Sequence, residues 1–244
     1  MVDNSYSMPE RSSVTGRMRY GPVPADRPWP KRGSFAPDDT ALVIIDMQVD
    51  FCAPGGWVDQ LGEDYQNTHA TIEPVASVLE RMRELGFPII YTREGHRPDL
   101  SDLPANKQWR TRVHGLGIGD RGQTGRILVR GEPGWEIVPE LAPRDDEIVI
   151  DKPGKSTFWR TDFQSILAAR GISKLVVTGV TTDCCVQSTI RDAFDRGYES
   201  LLLTNAVAAV ERQNHEAAVA TLTAGAVRVT AESTVETFLE VLGS

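Results

Sequence analysis

From residue 38 onward, apolar residues fall into short unbroken runs separated by longer stretches of helical period. Ala41-Leu42-Val43-Ile44-Ile45 is five apolar residues without alternation, the pattern of a strand covered on both faces, and it ends at Asp46. A second run, Ile148-Val149-Ile150, leads into Asp151-Lys152, and a third spans Lys174 to Val180 and turns sharply at Thr181. Strands are also predicted at 88–92, 199–204 and 227–230. Between them, Ile72, Val75, Ala76, Leu79 and Met82 share one face of a helix over 73–86. Further helices are predicted at 162–170, 213–223 and 234–242. Val186, Ile190, Ala193 and Phe194 mark the buried face of a helix that begins at Cys185. Strands alternating with helices in this way imply right-handed crossovers and an α/β fold. The expected architecture is three layers: an open six-stranded parallel sheet with helices on both faces.

Two segments lie outside the pattern. Residues 1–37 are rich in Pro, Arg, Ser and Asp without periodicity, and read as an extended arm, disordered or laid across a neighbouring subunit. Residues 38–244 then form a single domain. The irregular stretch from Glu94 to about Ile127 carries Arg97, Asn106, Lys107, Trp109, Arg110, Arg112 and His114, and reads as a lid or a subunit contact.

Composition narrows the partners. A net charge of −8 argues against nucleic acid or an anionic membrane surface, and no basic run with interleaved aromatics occurs. No stretch approaches the 18 consecutive apolar residues of a membrane span, and the N-terminus lacks the apolar core of a signal peptide. Cys52, Cys184 and Cys185 make an odd count with two adjacent, which suits a reduced, cytoplasmic protein better than a disulfide framework.

The candidate chemistry gathers at strand ends. Asp46, Lys152 and Cys185 each occupy the carboxyl end of a predicted parallel strand, the edge where open α/β sheets bind ligands. Singly, each has a plain reading: a turn residue, a solvated lysine, a small core cysteine. Together they are the groups needed to activate a thiol. Cys185 at a helix N-terminus meets unpaired N–H groups and the helix dipole, which lower a thiol pKa below about 8.5. Asp46 is the base that takes the thiol proton and returns it to the departing amine. Lys152 within about 4–6 Å would hold Asp46 ionised, lowering a carboxylate by roughly 1–3 units. The N–H groups of Thr181 and Cys185 form the expected oxyanion hole. The implied reaction is hydrolysis of an amide-type C–N bond, with no metal and no cofactor. Asp50, Asp192 and Asp195 are read as capping or solvated residues instead.

ALVIIDMQVDFC, DKPGKSTF and TGVTTDCCVQSTIRDAFDRGY, in that order and spacing, resemble the isochorismatase-like cysteine hydrolases. That family includes nicotinamidases and the amidohydrolases of carbamoylsarcosine, ureidoacrylate, biuret and triuret. The resemblance covers most of residues 38–240. It implies Cys185 rather than Cys184 as nucleophile, a cis peptide joining Val180 to Thr181, and assembly as dimers or tetramers. TREGHRPDLSDLPANKQWR and RGEPGW look most like biuret and triuret hydrolases. By that likeness Arg93, Glu94, His96, Lys107, Trp109 and Arg110 lie near the pocket. Gln48, Phe51 and Trp159 line it, and Lys155 hydrogen-bonds a distal carbonyl of a linear ureide or remains a solvated lysine.

Two departures shape the expected substrate, a small neutral urea-like compound. Nicotinamidases carry an Asp/His metal cluster after the second strand, where this chain reads Arg93-Glu94-Gly95-His96, so metal and nicotinamide are disfavoured. Biuret hydrolases place a Gln before the last strand, where this chain has Thr223-Ala224-Gly225, which leaves room for the longer triuret. A ureidoacrylate or carbamoyl-amine substrate is the alternative within the class. A non-catalytic or thiol-redox protein using Cys184 and Cys185 is the alternative outside it.

Overall fold

The computed structural model describes residues 18–24, 28–226 and 228–243. The apolar run at the start of the domain forms β1 (Thr40–Ile45), and every one of its residues is buried. Three short helical turns follow, α1 (Val49–Cys52), α2 (Trp57–Gln60) and α3 (Gln66–His69), then the long helix α4 (Ile72–Glu84). Next come β2 (Ile89–Glu94), α5 (Ala105–Arg112), and a small hairpin of β3 (Arg121–Gly122) and β4 (Gly125–Arg126). β5 (Ile148–Lys152), α6 (Phe163–Arg170) and β6 (Lys174–Val180) lead to a π-type turn at Thr182–Val186 and helix α7 (Gln187–Asp195). The chain closes with β7 (Glu199–Ala208), α8 (Arg212–Thr223), β8 (Ala231–Ser233) and α9 (Val235–Val241).

Six strands form one sheet in the order β5-β2-β1-β6-β7-β8, and every pairing in it is parallel. Alternation along β1 explains the unbroken apolar run. Leu42 and Ile44 enter one core with α4 and α9, while Ala41, Val43 and Ile45 enter the other with α6 and α7. The connection reverses direction between β1 and β6, so a crevice opens at their carboxyl ends. There β1 and β6 approach closely: a Cβ on Gly179 would meet the Ile45 carbonyl oxygen at 2.1 Å, and its φ is +104°. The Val180–Thr181 peptide that follows is cis, as the resemblance implied. No helix among the described residues is long and apolar enough to cross a membrane.

Several sequence expectations need correction. The described part of residues 18–37 is not a detached arm. Tyr20, Val23, Trp29 and Phe35 are buried in the α4/α9 core, and Phe35 stacks on Phe238 with ring centroids 5.9 Å apart. Residues 1–17 and 25–27 of that segment lie outside the described residues. The 94–127 stretch is ordered into α5 and the hairpin. β7 runs four residues beyond the expected strand, and the last strand lies at Ala231–Ser233 rather than 227–230. Phe194 is 51% exposed, so the buried face of α7 ends at Ala193.

Candidate active site

Four strand ends converge. Asp46 follows β1, Glu94 ends β2, Lys152 ends β5, and Cys185 sits in the turn after β6. Asp46 turns the chain with φ +51°, a left-handed conformation that Asp tolerates better than most residues. Its amide donates to the Thr92 carbonyl at 3.1 Å, and the Thr92 hydroxyl donates to Oδ1 at 2.6 Å. Oδ2 faces the Lys152 Nζ at 2.6 Å, with both side chains fully buried. A carboxylate oxygen carries two lone pairs, so with the Lys152 ammonium against one of them Oδ2 can still take a proton on the other. Lys152 also donates to the Gly154 carbonyl at 3.0 Å. Burial alone would lower the Lys152 pKa, but Asp46, then Cys185 and Glu94, raise it above the ordinary lysine value.

Glu94 is the second carboxylate and is equally buried. Its Oε1 lies 2.6 Å from Lys107 Nζ, and Lys155 Nζ reaches both oxygens at 3.1 Å. Lys152 Nζ lies 4.0 Å away. Burial would raise this carboxyl, yet the lysines, Lys155 foremost, hold it well below the usual carboxylate range. Gln48 fixes the backbone here: its amide donates to the Glu94 and Trp135 carbonyls and its oxygen accepts from the Glu94 N–H at 2.7 Å. Gln48 is therefore a buried brace, not the pocket-lining residue the sequence suggested. Lys107 Nζ also reaches His96 Nε2 at 3.0 Å and the Pro153 carbonyl at 2.9 Å. His96 pairs through Nδ1 with Asp102, and burial, then Lys107, push its pKa down. The network therefore assigns a neutral imidazole accepting at Nε2.

The Cys185 thiol points into this cluster and donates to Glu94 Oε2 at 3.3 Å. The expected low-pKa thiol is overturned. Hydrogen bonding with Cys184, then burial, push Cys185 well above its ordinary value, with Asp46 and Glu94 adding and Lys152 opposing. Its neighbour moves the other way: hydrogen bonding with Cys185 and the charge of Lys155 pull Cys184 down to about 7 against its burial.

Asp46, Glu94 and Cys185 place donor atoms within 4.8 Å of one another, a spacing that suits a metal ion. The Lys152 ammonium already lies against the two carboxylates, so the cationic partner of this cluster is a lysine.

A cavity of about 750 Å³ opens over the thiol. Of the sequence-predicted residues, Phe51, Glu94, Lys107, Arg110, Lys155, Trp159, Thr181 and Cys185 line it. Trp159 can do so because residue 154 is Gly, where a Cβ would meet the indole at 2.4 Å. Arg93 instead stacks on Trp135 and pairs with Glu136 and Asp151, and Trp109 is 67% exposed outside the lining. Asp50 is not solvated: it is buried and accepts from Thr124 and the Leu128 amide. Asp192 accepts from Ser156. The sequence reading missed the apolar wall of Trp57, Val58, Leu61, Ile118 and Val210, which is scattered over five loop or helix positions without any local motif.

The chain matches the isochorismatase domain over residues 40–233. It is 35% identical over 180 residues to ureidoacrylate amidohydrolase RutB of Azorhizobium caulinodans, covering 72% of this chain and 79% of that protein. A cysteine hydrolase from Pseudomonas syringae pv. phaseolicola superposes with a TM-score of 0.73 at 27% identity, covering 87% of this chain and 96% of the other. The N-carbamoylsarcosine amidase of Thermoplasma acidophilum superposes with a TM-score of 0.60 at 25% identity, covering 81% and 97%. With a thiol beside an Asp–Lys ion pair at the switch point of a parallel sheet, and with these likenesses, the chain belongs to the isochorismatase-like cysteine hydrolase family.

Proposed function

We propose that this protein is a cysteine-dependent amidohydrolase that cleaves the terminal C–N bond of a small linear ureide, triuret or biuret, through a thioester, releasing ammonia. The observation that carries the reading is the Cys185 thiol set against the Asp46–Lys152 ion pair beneath a cavity that bears both Glu94 and Lys155. A carboxylate accepts only and an ammonium donates only, and here they lie 3.1 Å apart. That pairing complements the alternating N–H and C=O groups of a ureide.

In this mechanism Asp46 takes the thiol proton as the sulfur attacks the terminal carbonyl carbon. The N–H groups of Thr181 and Cys185 hold the resulting oxyanion, each donor contributing about 2.7–4 kcal/mol. The tetrahedral adduct collapses, the C–N bond breaks, and Asp46 passes its proton to the leaving nitrogen, which departs as ammonia. Water then attacks the thioester, gives a proton to Asp46, and the sulfur recovers it on release of the acid. Lys152 balances Asp46 through both halves.

A second reading follows from the relatives. Ureidoacrylate and N-carbamoylsarcosine, in the names of two similar proteins, share with biuret a terminal carbamoyl group on nitrogen. The apolar lining of Trp57, Val58, Leu61, Ile118 and Val210 gives a longer ureido compound something to pack against. Ammonia release should be measured on triuret, biuret, ureidoacrylate, N-carbamoylsarcosine and nicotinamide, with Cys185→Ser as control. Turnover of triuret or biuret above the others supports the first reading, and preference for ureidoacrylate or N-carbamoylsarcosine supports the second. No turnover of any of the five, or a fully active Cys185→Ser, overturns both.

A further inference from the structure

Asp46 and Lys152 account for proton transfer, yet the thiol hydrogen is directed at neither. It points at Glu94. This carboxylate is fully buried, and a buried acid needs a reason to stay ionised. The reason is convergence from three separate segments: Lys107 from α5, Lys152 from the end of β5, and Lys155 from the loop beyond it. Five charged side chains thus surround one sulfur, three ammonium groups against the carboxylates of Asp46 and Glu94. With a neutral thiol the cluster carries one net positive charge, and with a thiolate it is balanced. Removing Glu94 alone would leave two positive charges in excess beside the sulfur.

We infer that Glu94 is a positioning residue for the nucleophile, a fixed negative charge that keeps the Cys185 thiol protonated and aimed until substrate displaces it. The inference rests on Cys185 being the nucleophile, as proposed above. The thiol is held by the Glu94 Oε2 contact at 3.3 Å, while the proton acceptor of the proposed turnover, Asp46 Oδ2, faces the Lys152 ammonium at 2.6 Å rather than the thiol. A ureide entering the cavity brings N–H donors that replace the thiol at Glu94. That releases the sulfur toward the carbonyl carbon and Asp46. Glu94 thereby keeps Cys185 from standing as a thiolate, which is the form that alkylating and oxidising agents attack.

The charged and titratable groups facing Cys185 are Asp46, Glu94, Lys152, Lys155 and Cys184, with Lys107 reaching it through Glu94 and His96 lying behind Lys107. Cys184 is reactive in its own right, so the test uses a Cys184→Ser background. The rate of Cys185 alkylation by iodoacetamide is followed from pH 5 to 10. Glu94→Gln should move the midpoint down by about 1–3 units, making alkylation at pH 7 at least tenfold faster. Lys155→Met, at a side chain 43% exposed and so tolerant of change, should move it up. Glu94→Asp should restore most of the original profile. Opposite shifts from the two variants are the signature, because a merely loosened site would move both the same way.

A Glu94→Gln midpoint that stays in place or rises overturns the inference. If Glu94→Gln does not fold, Lys155→Met decides alone: an upward shift supports the inference and an unmoved midpoint overturns it. Amide hydrolysis retained by Cys185→Ser would instead sink the reading of the nucleophile, while leaving the alkylation profiles as predicted.

Discussion

Breaking the Asp46–Lys152 pair should be the most destabilising polar change in this protein. Both side chains have zero exposure and their charged atoms lie 2.6 Å apart. With an effective dielectric of about 20, Coulomb attraction at that distance is about 6 kcal/mol, much of it offset by the desolvation of both ions. Removing one partner forfeits the attraction and keeps the other ion's desolvation cost. Lys152→Met or Asp46→Asn should therefore each cost about 3–5 kcal/mol. A native domain has only about 5–15 kcal/mol in total, so either variant should sit near the edge of folding. The double variant removes both charges and should cost less than the two singles combined, with a coupling of about 0.5–3 kcal/mol. Guanidinium unfolding gives the numbers, provided the slope m is unchanged across the set. Additive costs, or a Lys152→Met loss below about 1 kcal/mol, would refute the idea that these ions hold one another in the sheet. Turnover should fall about 10²–10⁴-fold in Asp46→Asn, since the proton acceptor is gone while the thiol remains.

Gly179→Ala should destabilise by about 2–5 kcal/mol, from the Ile45 clash and the positive φ together, and urea unfolding would show it. Phe35→Ala should cost about 3–5 kcal/mol, because its ring is fully buried between Trp29, Phe87 and Phe238; a loss under about 1 kcal/mol would mean the segment before β1 is dispensable. Acid should weaken the fold from about pH 6.5 downward. His96 and His215 are both held below their ordinary value, chiefly by burial, so the unfolded chain binds their protons first and stability falls as pH drops through the unfolded value. Melting temperature between pH 7.5 and 6 should show the slope, and His96→Gln should flatten it.

What could be read from the sequence was whatever a local run encodes. β1, β5 and β6 announce themselves as short apolar runs leading to the crevice. β1 and β6 are covered on both faces, with Thr178 the polar exception inside β6. The half-buried edge strand β5 still carries Ile148-Val149-Ile150 up to Asp151 and Lys152. Asp46, Lys152 and Cys185 were legible for the same reason. The segment before β1 was misread because its four core residues, Tyr20, Val23, Trp29 and Phe35, are spaced irregularly among Pro and Arg and match no period. Phe194 fits the helical period of α7 but falls where the helix leaves the sheet, so the period alone could not say it was exposed. Gln48 has the position of a pocket residue and the bonding of a brace. Its three backbone hydrogen bonds, with the Glu94 N–H and with the Glu94 and Trp135 carbonyls, separate the two.

The thiol itself shows where one-dimensional reasoning stops. A cysteine beginning a helix should ionise easily, since the dipole and free amides favour an anion. Here the sulfur is hydrogen-bonded with Cys184 and buried, and two carboxylates from other strands stand beside it, which together push the thiol pKa up, against the helix dipole and the Lys152 charge. The consequence is chemical. A site with a standing thiolate needs no base for its first step, whereas one with a protonated thiol must remove the proton as the bond to carbon forms. In the proposed mechanism Asp46 Oδ2 supplies that base, with the Lys152 ammonium 2.6 Å away balancing its charge. The same sulfur environment that contradicts the helix-terminus argument is therefore what gives the proposed mechanism its need for a base at Asp46.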